Sequence, residues 1–216
     1  MTTEAYMRLK DVDGVTGETL PAGRALGMGE LEALMRVCRA DRTAAGRRDA
    51  AIIALAYAGG LRRAELASLT MQSITADDGE TVTLKVLGKR LKERLVYLDN
   101  GSAAAMRAWL KVRGLGDGAL FYAGRKGGHI VTGQGMSAQA VRDIIDRRAR
   151  EAGIQHASPN DFRRTFISDL LDAGVDIATV AAMAGHESVQ TTARYDRRGE
   201  YAKQRAARAL HVPYYE

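Results

Sequence analysis

The sequence predicts a mainly helical α+β fold with one small antiparallel sheet. Apolar residues recur at helical spacing in most segments after Met28, two short β-branched runs face each other across Gly88, and glycines punctuate the joins. With 46% hydrophobic and 27% charged residues among 216, the chain has the balance of a globular protein with enough apolar side chains for a sizeable core.

Residues 1–24 carry Asp11, Asp13, Gly14 and Gly17 and then Pro21-Ala22-Gly23, a stretch without periodicity that reads as a linker. From Met28, the residues Leu31, Leu34, Met35 and Cys38 share one helical face. Ile52, Ile53, Leu55, Ala56 and Tyr57 mark a more buried helix, stopped by Gly59-Gly60, and a short helix follows from Arg63 to Leu69. Residues 81–86 and 94–98 alternate as strands around Gly88, and on this pattern Tyr97, like Tyr57, is expected in the core. Further helices are expected at Ser102–Val112, Ser137–Ala152, Pro159–Ala173, Asp176–Met183 and Glu200–Leu210. Between them, Ala123–His129 is a basic, Gly-rich loop or hairpin without the spacing of a phosphate-binding loop.

Charge narrows the partners. Lys and Arg exceed Asp and Glu by 32 to 26, and the isoelectric point near 9.6 favours an anionic partner such as nucleic acid. Cys38 is the single cysteine, which excludes an intrachain disulfide and a cysteine metal cluster and suits a reducing compartment, so the cytoplasm is expected. No apolar run approaches the roughly 20 residues that span a bilayer, and the N-terminus lacks a secretory pattern, so no membrane role is expected.

Four stretches carry chemistry-bearing residues. Gly60-Leu61-Arg62-Arg63-Ala64-Glu65 places Arg62 at the start of a helix, where a guanidinium and backbone amides meet an anion together, with Glu65 one turn on to fix its rotamer. Gly88-Lys89-Arg90-Leu91-Lys92 is a basic turn between strands, and the Lys89 ammonium has a proton to give a departing hydroxyl. Ser158-Pro159-Asn160-Asp161-Phe162-Arg163-Arg164 begins with an N-cap and a first-turn proline, and brings a second guanidinium, Arg163, on another helix. Gly185-His186 ends a helix, and Tyr195 follows nine residues later beyond a Ser/Thr-rich helical turn. Each residue alone also has an ordinary reading as a solvent-facing arginine, a first-turn polar residue or a helix cap. His129, His156 and His211 lack such context and read as structural, and no zinc site or other cofactor is expected.

In this order the four stretches resemble the catalytic domain of the tyrosine recombinase (phage integrase) family, over about Gly23 to Ala209. The resemblance implies that Tyr195 attacks a DNA phosphate to form a 3′-phosphotyrosyl link without metal or ATP. It also implies that Arg62 and Arg163 clamp the phosphate, that Lys89 is the general acid and that His186 hydrogen-bonds the phosphate. Where the family usually has a histidine, this chain has Asn160, which donates a hydrogen bond but moves no proton near neutral pH. A catalytically impaired DNA-binding relative and a type IB topoisomerase-like activity are therefore alternative expectations. Arg63, Arg90, Lys92 and Arg164 are expected at the DNA backbone. By the same resemblance, residues 1–24 are a linker or a remnant beside an absent N-terminal DNA-clamping domain. Residues 25–216 then form the catalytic domain, with 200–210 as a docking helix. The expected partners are double-stranded DNA and further copies of the chain, a tetramer on two duplexes and mostly a monomer without DNA.

Overall fold

The computed structural model describes residues 23–88, 92–196, 199, 204, 207 and 208. Most of the expected helix at 200–210, and the linker before Gly23, lie outside the described residues. Eight helices are described: α1 (Met28–Ala40), α2 (Ala44–Ala58), α3 (Arg63–Ser68), α4 (Asn100–Arg113), α5 (Ala138–Glu151), α6 (Pro159–Asp172), α7 (Ile177–Ala184) and α8 (Val189–Ala193). Two antiparallel sheets accompany them: β1 (Ile74–Asp77), β2 (Val82–Leu87) and β3 (Glu93–Leu98) in that order, and a hairpin of β4 (Tyr122–Gly124) with β5 (Ile130–Gly135).

The elements follow from local chemistry. Thr43, Ser137, Ser158, Asp176 and Ser188 each accept a backbone N–H from the first turn of α2, α5, α6, α7 and α8, occupying donors that a helix start leaves unpaired. Helix α2 is buried on nearly every side. It carries the pattern of a central helix, Ile52, Ile53 and Leu55 being wholly enclosed. Its buried Asp49 accepts from Arg48, Arg147 and Arg148, so α5 is pinned to α2 by a charge-paired network.

Two apolar clusters result. The larger joins α1–α5 and the three-stranded sheet and receives Phe162 from α6; the smaller is built by Phe166, Ile167 and Leu171 of α6 with Val180 and Ala184 of α7. Helix α6 therefore belongs to both clusters, and the residues at its N-terminal end are fixed between them. Tyr195 packs partly against the smaller cluster.

Two details differ from the sequence reading. Strand β1 was not expected, because Ile74-Thr75-Ala76-Asp77 is only four residues long and largely exposed. The basic segment, read as a loop or hairpin, is the β4–β5 hairpin. Tyr97 is 54% exposed, because in the alternation of β3 it is Val96 and Leu98 that face the core. Tyr57 is half-buried, and its hydroxyl donates to Asp169 at 2.7 Å.

Candidate active site

A cleft of about 810 Å³ opens where the N-terminal ends of α3 and α6 meet the turn after α7. Arg62, Asn160, Arg163, His186 and Tyr195, which the sequence singles out, all line it. So do Arg63, Arg142 and Arg164, and no carboxylate is among the described residues of its wall. An electropositive recess of this kind focuses an anion onto its floor.

Arg62 stands immediately before α3, after Gly60, whose φ of +56° turns the chain. A Cβ at Gly60 would come within 2.4 Å of the Phe166 ring, so the turn packs directly on α6. The Gly60 carbonyl accepts from Arg163 Nη1 at 2.7 Å, which ties the second arginine to the loop that carries the first. Arg163 Nη2 is buried and has no hydrogen-bond partner among the described residues. Burial, and then the neighbouring Arg62, pushes the Arg163 guanidinium down to about 10, so it remains charged at neutral pH.

Glu65, 5% exposed, accepts from the Arg62 backbone N–H and from Arg62 Nη1, both at 2.9 Å, as its position one turn on predicts. It also accepts from Nη1 and Nη2 of Arg94, at 3.2 and 2.7 Å, a partner on β3 that the sequence reading missed. Burial raises the Glu65 carboxyl, but the hydrogen bonds from Arg94 and Arg62 outweigh it and hold the group below its ordinary value.

His186 follows Gly185, which closes α7 in the left-handed region at φ +66°. Its Nδ1 lies 2.8 Å from Oγ1 of the buried Thr192, leaving Nε2 to meet a ligand. Burial, then Arg163, Arg62 and Arg94, lowers its pKa to about 4, so the ring is neutral at pH 7. Tyr195 lies just beyond α8, its N–H donating to the Thr192 carbonyl at 2.9 Å. Its phenol oxygen makes no hydrogen bond among the described residues, and its ring stacks on that of His186 with centroids 6.1 Å apart.

Asn160 is exposed on the first turn of α6, where capping is done by its neighbours Ser158 and Asp161. Arg164, expected at a phosphate, is only 6% exposed, and its guanidinium sits 5.4 Å from the centre of the Tyr195 ring. Arg63 is exposed, as expected. Lys92, also exposed, lines an adjoining recess of about 380 Å³ with Arg62 and His186. Lys89 and Arg90 lie outside the described residues. His156, read from sequence as incidental, reaches the rim of the cleft, its Nε2 3.8 Å from Asp161 Oδ2. Among the described residues, no group of three or more His, Cys, Asp or Glu side chains converges as a metal site, and no helix is long and apolar enough to cross a membrane.

Chemically, the cleft offers guanidinium donors for a bound phosphate, a neutral imidazole and an unengaged phenol. Comparison with known proteins agrees with that composition. Residues 25–200 match the model of the phage integrase family, and the chain belongs to that family. Among curated proteins it is similar to the tyrosine recombinase XerC of Corynebacterium glutamicum, 39% identical over 150 residues, which cover 68% of this chain and 46% of that protein. The tyrosine recombinase XerC of Corynebacterium efficiens is 37% identical over 175 residues, covering 80% of this chain and 53% of that protein. The chain thus spans about half the length of these relatives. The fold is shared with the crystal structure of XerA recombinase, at a TM-score of 0.66 and 23% identity over 89% of this chain and 67% of that one. It is shared too with XerH site-specific recombinase bound to palindromic difH substrate in a post-cleavage complex, at a TM-score of 0.69 and 23% identity over 93% of this chain and 56% of that one.

Proposed function

We propose that this chain is the catalytic portion of a site-specific DNA recombinase that cuts and rejoins strands through Tyr195. The observation that carries the reading is the one cleft in which a phenol without a hydrogen bond, two guanidiniums from separate helices and a neutral histidine meet, with no carboxylate in the wall among the described residues. Carboxylates would repel a phosphodiester; this set attracts one and stabilises the charge that builds on its non-bridging oxygens.

In the proposed step the phenol of Tyr195 gives its proton to solvent in the open cleft, its oxygen bonds to phosphorus, and the bond to the 5′ oxygen breaks. Arg62 and Arg163 hold the non-bridging oxygens, with Arg163 Nη2 supplying a donor that has no partner among the described residues. His186 adds a hydrogen bond through Nε2, and Lys89 gives the departing 5′ oxygen its proton. One phosphodiester replaces another, so bond energy is conserved and attack by a second 5′ hydroxyl reverses the reaction. Neither a metal nor ATP enters the scheme. Asn160 donates to the phosphate but takes no part in proton transfer, so cleavage is slower than a histidine at this position would allow. Arg63, Arg90 and Lys92 serve the flanking backbone. Residues 1–24 are a linker or remnant beside the catalytic portion, and 200–210 dock on a neighbouring copy when four assemble on two duplexes; free of DNA the chain is mostly a monomer.

The test is a suicide-substrate assay, in which nicked duplexes carrying candidate target sites trap the covalent intermediate by loss of the short cleaved strand. The reading expects an SDS-resistant adduct carrying the DNA by its 3′ end, formed in the presence of a metal chelator. DNA binding without an adduct, both in the unaltered chain and in Asn160→His, would instead support a non-catalytic DNA-binding role.

A further inference from the structure

The residue that joins the separate parts of the cleft is Arg94, which is not in the wall of the main cleft but lines the adjoining recess beside Arg62 and His186. Its side chain is 10% exposed, and both of its terminal nitrogens are spent on Glu65. A Cβ at residue 185 would come within 3.1 Å of Arg94 Nη1 and 3.3 Å of Cδ and Cζ, so the guanidinium packs against the backbone of Gly185, next to His186. A Cβ at Gly88 would lie 3.5 Å from Arg94 Nη1 and 3.7 Å from Glu65 Oε1, so the neck of the β2–β3 turn rests on the same pair. One side chain thus touches the strand turn that precedes Lys89, the carboxylate that holds Arg62, and the backbone that presents His186.

We propose that Arg94 is a positioning residue for the strand-transfer step: by engaging both Glu65 oxygens it keeps Arg62 turned toward the phosphate and holds Gly88, α3 and the Gly185-His186 turn in one register. The proposal rests on the reading of Tyr195 as nucleophile.

A carboxylate as deeply buried as that of Glu65 requires compensation for each oxygen. With Arg94 present, Arg62 gives Glu65 one side-chain donor, at Nη1, and its remaining donors stay available to the cleft. Without Arg94, Arg62 is the nearest cation able to cover both oxygens, and a two-pronged pair with Glu65 draws its fork away from the substrate. The same loss takes one positive charge from the surroundings of Arg163 and His186, both of which sense Arg94. Lysine is a poor replacement, since an ammonium is a point charge that does not span a carboxylate.

The test measures the rate of adduct formation against DNA concentration for the unaltered chain, Arg94→Met, Glu65→Gln and the two together. A role through Glu65 predicts that each single change lowers the saturating rate about tenfold or more while the half-saturating DNA concentration moves less than about threefold. The double variant is then no slower than the slower single one. An unchanged rate in Arg94→Met, a loss confined to DNA affinity, or a double variant whose loss is the product of the two singles overturns the proposal. Should Arg94→Met fail to melt cooperatively, Arg94→Lys takes its place, with a loss of about fivefold or more expected and full activity overturning the idea. If the unaltered chain forms no adduct, the reading of Tyr195 is what fails. The placement of Arg94 is then read by NMR from the Cε1–H resonance of His186, whose midpoint rises in Arg94→Met if the guanidinium stands at Gly185 and stays put if it does not.

Discussion

The ring of Tyr195 lies nearly parallel to that of His186, with 20° between their planes and 6.1 Å between their centroids. Packing holds the phenol from its ring, while the hydroxyl has no hydrogen-bond partner among the described residues. Replacing Tyr195 with Phe therefore removes the proposed nucleophile and little else. The expected outcome is loss of adduct by about a thousandfold or more, with a stability change within about 0.5 kcal/mol by denaturant unfolding.

His186 supplies a pH dependence of definite sign. Its pKa is lowered from 6.5 to about 4 in the fold by burial and by Arg163, Arg62 and Arg94. Its neutral state therefore contributes stability in full above about pH 6.5 and loses it progressively as the pH falls toward about 4. Because the ring is only partly buried, solvent screening limits the effect to on the order of 1 kcal/mol. Unfolding of the unaltered chain and of His186→Gln, compared at pH 7 and pH 4.5, isolates it: the unaltered chain should lose more stability than the variant.

Arg63 and Arg164 are neighbours in sequence to two proposed catalytic arginines and are opposites in environment. Exposed Arg63 is expected to meet a phosphate, so Arg63→Gln should reduce the slope of log affinity against log salt by about one. Buried Arg164, packed on the Tyr195 ring, should leave that slope unchanged. Arg164→Gln should instead cost about 1–3 kcal/mol of stability and slow adduct formation, because the support under the nucleophile is lost.

Asn160 is exposed and takes no part in capping α6, so the fold does not depend on it. Asn160→His should leave stability within about 0.5 kcal/mol and raise the adduct rate about tenfold or more by restoring a proton carrier beside the phosphate. A rate unchanged by the substitution would show that the amide suffices.

Gly60 tests the coupling between the two proposed catalytic arginines. Alanine there meets both a positive φ and the Phe166 ring, and the carbonyl that anchors Arg163 has to move. Gly60→Ala should destabilise the chain by about 1–3 kcal/mol, read from its denaturation midpoint, and depress cleavage beyond what the lost folded fraction explains.

Much of this site was legible in the sequence because its residues sit at helix ends, where caps, glycines and proline announce themselves. Arg62 after Gly59-Gly60, Arg163 after Ser158-Pro159 and His186 after Gly185 are each marked by such a boundary. Arg94 carries no such mark. It is one charged residue in an alternating strand, and its partner Glu65 lies 29 positions away, so only the folded sheet reveals the pair. The burial of Arg164 was hidden for the complementary reason, since a helical arginine beside another gives no sign in sequence that one of them packs on an aromatic ring. Strand β1 escaped notice because it is short, largely exposed and held by pairing with β2.

The central claim is the identity of the nucleophile, and the most direct measurement is peptide mapping of the trapped protein–DNA adduct. After nuclease trimming and proteolysis, mass spectrometry locates the residue that carries the nucleotide. The expected result is a 3′-phosphodiester on Tyr195; the same mass on another tyrosine, or on a serine, would contradict it.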